Sequence, residues 1–430
     1  MAANVYYSVC PFGTGDIKTG SPTISISSGV ATLSVAQTGN IGQGCRITYN
    51  TSSVCYISGV TDSTHFSVVT ATGGTPANVS GQTVNSIAHE YASLSAAEAG
   101  ASDATHINNV SLITADVVLN LPCYYDHDDY TADSSTITVD GYTTDSTRFI
   151  NIYTPTGGTQ SINSQRHAGV WSDEKYRIQK SWESWNILLW ILDDNVIIDG
   201  LQLTYTGGTV SNRIGWILIQ GPDGANETVK NCIIKKGSVA STGYATCGIE
   251  SLNGGLFYNN IIYDMTEEPP FSGGIVMRSW DTQGTRYVYN NTIINCYQGI
   301  MQAQAAVVTA KNNATIDCTD GFVGSFTASD YNCSDISSDA PGANSIDLTG
   351  VSLGTIFTDY SNEDFSLVSN SPLIDAGIGP ALDSDVPTTD IVGTSRSGNT
   401  CDIGAFEYVE EGGTLSIPVA MHHYNLLRSA

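Results

Sequence analysis

The stretch Val288-Tyr-Asn-Asn-Thr-Ile-Ile294 decides the fold because it recurs. Ile197-Ile-Asp-Gly-Leu201, Val229-Lys-Asn-Cys-Ile-Ile234, Phe257-Tyr-Asn-Asn-Ile-Ile262 and Ala310-Lys-Asn-Asn-Ala-Thr-Ile316 superpose on it at Asp199, Asn231, Asn259, Asn290 and Asn312, in steps of 32, 28, 31 and 22 residues. A second series, Gly215-Trp216, Gly248-Ile249, Gly274-Ile275, Gly299-Ile300 and Gly321-Phe322, keeps pace with steps of 33, 26, 25 and 22. Two linked series of this period predict stacked coils. One coil has too few inward Ile, Val, Leu or Phe side chains to bury them alone; set on its neighbour, it completes a parallel ladder and a continuous core. The asparagine pairs Asn259-Asn260, Asn290-Asn291 and Asn312-Asn313 predict amide ladders at one turn. Cys296 and Cys318 follow Asn290 and Asn312 at the same interval, so they are expected as stack neighbours, either as two thiols or as a disulfide.

Working outward, Ile137-Thr-Val-Asp-Gly141 looks like Val196-Ile-Ile-Asp-Gly200, which predicts irregular earlier coils between residues 110 and 194. Upstream, residues 1–88 read as a small β barrel or sandwich. Ser25 to Val35 alternates apolar and polar residues around a Ser-Gly turn, and period-2 runs recur at Cys45, Val54 and Phe66. Between the two, residues 89–108 hold Tyr91-Ala-Ser-Leu-Ser-Ala-Ala-Glu-Ala-Gly100, a short helix capped by Ser93 and suited to plugging the open end of a solenoid. The solenoid itself is expected over residues 109–408, and residues 409–430 form a tail expected either to dock on another subunit or on a particle, or to pack on its own solenoid.

These coils, with Asp364-Phe-Ser-Leu-Val-Ser-Asn-Ser-Pro-Leu-Ile-Asp-Ala-Gly377, Asp390-Ile-Val-Gly-Thr-Ser-Arg396 and Asp402-Ile-Gly-Ala-Phe-Glu-Tyr408, resemble the right-handed parallel β-helix repeat proteins. The resemblance covers residues 195 to 408. It implies an all-β chain, a right-handed parallel β-helix preceded by the small β module, in which the last three segments close the solenoid. Members of that family include polysaccharide lyases, glycoside hydrolases, adhesins and bacteriophage spikes, so the resemblance bears on fold more than on function. It also implies a homo-oligomer, with trimers common among phage spikes.

Sixteen basic against 42 acidic residues give a net charge of −26, which repels nucleic acid and anionic surfaces. The N-terminus has no basic and apolar signal-like stretch, and no segment is long and apolar enough to insert in a membrane.

From the aligned Asp or Asn to the following Gly the gap is 16, 17, 15, 9 and 9 residues, so the first three coils carry insertions at one corner. Stacked, they build a lateral wall that includes Tyr205, Arg213, Lys235, Tyr244, Asp264, Glu267 and Phe271, beside a groove suited to an elongated ligand. Arg278, Trp280, Asp281 and Arg286 form a second cluster, in which Trp280 could stack on a sugar and Arg278 and Asp281 clamp a glycan or serve as a base and its charge partner. Asp264 with Glu267 or Asp281 are the carboxylates to consider for glycoside hydrolysis. Asp126, Asp128 and Asp129 are a candidate Ca²⁺ cluster, though they lack the spacing of a known calcium loop; otherwise no cofactor is expected.

Two readings follow. The first is a non-catalytic structural or adhesive protein, a bacteriophage virion component such as a decoration protein, head fibre or tail spike, assembled in the host cytoplasm and contacting other virion proteins or a surface polysaccharide. The alternative is a polysaccharide lyase or glycoside hydrolase, extracellular or at the cell surface.

Overall fold

The computed structural model describes residues 2–125, 131–181, 186–210, 214–221, 226–241, 245–268, 270–279 and 284–410. Their core is a parallel β-helix of three sheets. Sheet I runs in the order Ala3–Tyr6, Val117–Pro122, Ile150–Tyr153, Val196–Asp199, Thr228–Lys230, Gly255–Tyr258, Thr285–Tyr289 and Val307–Lys311. Sheet II begins at Arg177–Ser181 and Gln202–Thr206 and ends at Cys333–Ser334 and Ile346–Asp347. Sheet III runs from Ile137–Val139 through Asn186–Ile191, Ile214–Ile219, Ala245–Ser251, Phe271–Ser279 and Gln298–Gln304 to Asp320–Val323.

The inward rows stack like on like. In sheet I, Ile198, Val229, Phe257, Val288 and Ala310 are in register; in sheet II, Leu203, Ile234, Ile262 and Ile293; in sheet III, Ile217, Ile249, Ile275, Ile300 and Phe322. All belong to one buried cluster, where each large aliphatic side chain contributes roughly 1.5–3 kcal/mol relative to an exposed one.

The turn from sheet I to sheet II carries two asparagine ladders. Asn231, Asn259, Asn290 and Asn312 have φ of 55°, 55°, 51° and 57°, the left-handed region that asparagine tolerates better than other side-chain-bearing residues. The residues after them point inward. Asn260 Nδ2 donates to Asn291 Oδ1, Asn291 to Asn313 and Asn313 to Asn332, each at 3.0 Å, and each acceptor oxygen also takes a main-chain N–H of the coil before it. The amides are thereby satisfied where no water reaches, which is the condition for burying them.

This register corrects the sequence alignment by one residue in its first coil. Asp199 pairs with Lys230, and Gly200, at φ 78°, takes the left-handed place that Asn231 fills one coil later. Likewise Gly215 pairs with Cys247, so that Trp216 stands opposite Gly248. Backbone conformation, shared by Gly and Asn, governs the turn; the chemical likeness of Asp to Asn does not. Ile137–Val139 is also reassigned, because it pairs with Leu189 to Ile191 in sheet III, whereas its look-alike Val196–Asp199 lies in sheet I. Cys296 and Cys318 are buried free thiols, and the Cys318 thiol is pushed far above its ordinary range by its hydrogen bond to Cys296 and by burial.

Near the N-terminus, six antiparallel strands between Thr23 and Ala88 close a barrel around Ile24, Ile26, Ile47, Phe66 and Ile87. Its first hairpin turns on Ser28-Gly29, both at positive φ, the geometry a two-residue hairpin loop requires. The expected module of residues 1–88 needs one correction: Ala3–Tyr6 pairs in parallel with Val117–Pro122, so it is a strand of the solenoid and the barrel is inserted after it. The barrel is keyed to the coils by Ser8 N–H donating to Gly44 O at 3.1 Å and by Tyr124 Oη donating to Gln43 O at 2.8 Å. Helix Leu94–Gly100 forms as expected, its Ser93 Oγ accepting from Ala96 N–H at 3.1 Å, and Leu94 and Ala97 join the solenoid core beside Ile137–Val139, the edge strand of sheet III. Among the described residues no helix is long and apolar enough to cross a membrane.

The C-terminal segments do not close the end of the stack. They run back along its flank, where Phe357, Phe365, Leu373, Ile391 and Ile403 cover the outer side chains of sheet II, among them Ile233, Ile261, Tyr263, Ile294 and Ile316. Residues 411–430 of the expected docking tail lie outside the described residues.

Candidate functional site

The insertions leave at the corner between sheets II and III, as expected, and are themselves paired: Thr209–Val210 lies parallel to Ala240–Ser241. One ion pair on this side ties neighbouring coils, and another ties a coil to the returning C-terminal segment. Lys236 Nζ meets Glu267 Oε1 at 2.5 Å, and Lys235 Nζ meets Glu363 Oε2 at 3.2 Å while sitting 4.5 Å from the centroid of the Trp171 ring. Tyr263 Oη donates to the same Glu363 oxygen at 2.7 Å. Asp264, at φ 69°, accepts from Asn295 Nδ2 at 2.7 Å.

On the outer face of sheet III, Arg278 pairs with Glu250, and its guanidinium lies 4.6 Å from the centroid of the Phe271 ring. Glu250 is completely buried and Arg278 nearly so. A charge pair this shielded holds its geometry because losing either partner strands the other away from water.

Two residues expected in exposed binding positions are instead interior. Tyr205 is fully buried, its ring edge-on to Trp216 with centroids 5.1 Å apart. It belongs to the strand Gln202–Thr206 and joins the core of the solenoid, so it is not part of the insertion to which the spacing assigned it. Arg286 is also fully buried, donating from Nη1 to Gly284 O at 2.8 Å and from Nη2 to the carbonyls of Leu252 and Arg278. Arg213, Tyr244, Trp280 and Asp281 lie outside the described residues, as do Asp126, Asp128 and Asp129. The structure therefore brings Arg278 together with Phe271, and Glu267 with Lys236; Asp264 is engaged by Asn295.

A site that no sequence motif marks lies at the corner between sheets III and I. The register puts Glu227 in the inward row of Ile150, Val196 and Val308, where every other coil offers an apolar residue, a glycine or Arg286. Glu227 is buried, and neither of its carboxylate oxygens has a hydrogen-bond partner among the described residues. Burial, with the nearby Asp194 carboxylate adding to it, pushes its carboxyl up to about 8. The Asp194 carboxyl is raised too, by burial, and its Oδ1 is likewise buried and unpartnered among the described residues. Glu227 borders a cavity of about 370 Å³ together with Asn226, Gly255, Gly284 and Tyr287. Comparing positions four residues before the aligned asparagines would have exposed this acid in an apolar row. Among the described residues, no group of three or more His, Cys, Asp or Glu side chains is arranged to hold a metal.

No protein-family model matches the sequence, and comparison with curated proteins finds no match. Among solved structures, the chain is similar to the crystal structure of pectate lyase Pel9A, at 14% identity and a TM-score of 0.35, over 74% of this chain and 92% of the other.

Proposed function

We propose that the chain is a non-catalytic attachment or display protein whose insertion wall binds an elongated, uncharged polysaccharide. One observation carries this reading. The described groups that sequence alone offers for catalysis are already spoken for: Arg278 by Glu250, Glu267 by Lys236 and Asp264 by Asn295. A general acid or base must be able to exchange its proton with a substrate, and groups held this way are suited to fixing the shape of a surface instead. The net charge of −26 favours a neutral ligand over a polyanion. A barrel keyed rigidly to one end of the solenoid suits anchoring on a larger particle, and a bacteriophage virion is the setting we infer from the acidic chain and this plan.

Incubation of the purified chain with defined polysaccharides tests the reading. Co-sedimentation with a neutral polymer, with no new reducing ends and no unsaturated uronate absorbance, is the expected result. Chain shortening that disappears in Arg278→Ala while the fold persists would overturn it. For the particle setting, mass spectrometry of purified phage should find the chain in stoichiometric amount.

A further inference from the structure

The carboxylates at the corner between sheets III and I raise a separate question. Asp194 lies in the turn before Val196–Asp199, Gly221 follows Ile214–Ile219 one coil later, and Glu227 immediately precedes Thr228–Lys230. Gly221, having no side chain, lets them crowd against its backbone. Around the point where a Cβ on Gly221 would stand, Glu227 Oε1 is 2.7 Å away, and Asp193 O and Asp194 Oδ1 are each 3.4 Å away. Three oxygens, two of them from carboxylates, thus gather against the one face of Gly221 that any other residue would occupy with its side chain. Glu227 is 1% exposed, and neither it nor Asp194 Oδ1 has a hydrogen-bond partner among the described residues.

A buried carboxylate without a partner is costly, and the fold resolves the cost in one of two ways: the group takes up a proton, or a cation neutralises it. The surroundings favour the cation. The second carboxylate would repel an ionised Glu227 but supplies a further ligand once an ion is present. The Asp193 carbonyl is the kind of main-chain donor that calcium accepts, and the adjoining cavity leaves room for water to complete six to eight oxygen ligands. Asp193's own carboxylate is committed elsewhere, accepting the N–H groups of Gly141 and Tyr142 at 2.9 Å each, which fixes the turn that presents its carbonyl.

We propose that Glu227, Asp194 and the Asp193 carbonyl form a binding site for one calcium-class divalent cation that ties two successive coils together at this corner. It is distinct from the acidic run at residues 126–129 and independent of the insertion wall.

The test uses the full chain stripped with chelator. Calorimetric titration with Ca²⁺ should show one ion bound through this site, and the melting temperature should be higher in Ca²⁺ than in chelator. Glu227→Gln, which keeps the shape and removes a buried charge, should abolish both the heat and the Ca²⁺-dependent shift while melting cooperatively in chelator. Gly221→Ala drives a methyl against Glu227 Oε1 without altering charge and should weaken binding at least tenfold. Undiminished binding in both Glu227→Gln and Asp194→Asn, no Ca²⁺ effect on wild-type melting, or a site that answers to Mg²⁺ and not to Ca²⁺ would each overturn the assignment.

Discussion

Arg396 Nη1 donates to Asn259 Oδ1 at 2.7 Å, joining residues 137 apart in sequence. Asn259 is a rung of the left-handed asparagine series, and Arg396 belongs to the segment that returns along the flank. The same guanidinium, itself shut off from solvent, donates to Thr389 O and Gly404 O and pairs through Nε with Glu407 Oε2 at 3.0 Å. Arg396→Ala should therefore cost about 3–5 kcal/mol, the usual result of removing one partner of a buried ion pair. Urea denaturation measures that loss, and limited proteolysis should show residues 377–408 cut before the coils. Arg396→Lys should recover little, since a point charge cannot serve four acceptors in one plane.

The asparagine turns permit a test that separates backbone from side chain. At Asn312, φ is 57°, Nδ2 donates to Ile378 O at 2.9 Å, and Oδ1 accepts from Ile378 N–H at 3.0 Å. Asn312→Gly keeps the backbone conformation and loses only the side-chain bonds, these two and those from Nδ2 to Asn290 Oδ1 and Cys401 Sγ. Asn312→Ala loses them and adds a left-handed penalty of about 1–2 kcal/mol. Chemical denaturation should rank stability as wild type, then glycine, then alanine; alanine equal to glycine would refute the conformational argument.

What was legible in the sequence follows from which interactions are periodic. The coils from Asn231 to Asn312 could be counted because each repeats the same left-handed asparagine and the same inward aliphatic row. The alignment slipped where Gly200 replaces asparagine, since Asp199 beside it looked like the better chemical match. The barrel's insertion after Ala3–Tyr6 was hidden because four residues carry no period of their own and their partner, Val117–Pro122, is more than a hundred residues away. The closing motifs were recognised by resemblance, but Asp390 and Asp402 spend their carboxylates on local N–H groups, which says how the segment is knotted and nothing about where it lies. Glu227 was not legible because it is a single departure from its inward row, which has no period of its own to mark it.

The Arg278–Glu250 pair should behave as a buried unit. Arg278→Ala removes the arginine partner of a completely buried carboxylate and should destabilise by about 3–5 kcal/mol. The double substitution Arg278→Met with Glu250→Gln should be far closer to wild type, because neither member of the pair is then left as an uncompensated charge. A double-mutant cycle by urea denaturation gives the coupling, which should be well above the 1 kcal/mol or less typical of exposed pairs.

The Glu227 carboxyl gives the stability a predictable pH slope when divalent cations are chelated. Burial first, then Asp194, raises it from the ordinary 4.5 to about 8, so between these values the folded chain holds a proton that the unfolded chain has released. Stability must then fall as pH rises through that window and level off above it. Other buried carboxyls, Asp194 among them, are raised by burial too, so the informative quantity is the difference between wild type and Glu227→Gln. In chelator the variant should gain on wild type steadily from about pH 5 to pH 8 in urea denaturation. Saturating Ca²⁺ should shrink that difference, because the ion then takes the place of the proton; a difference that does not change with pH would show that Glu227 is already ionised and otherwise compensated.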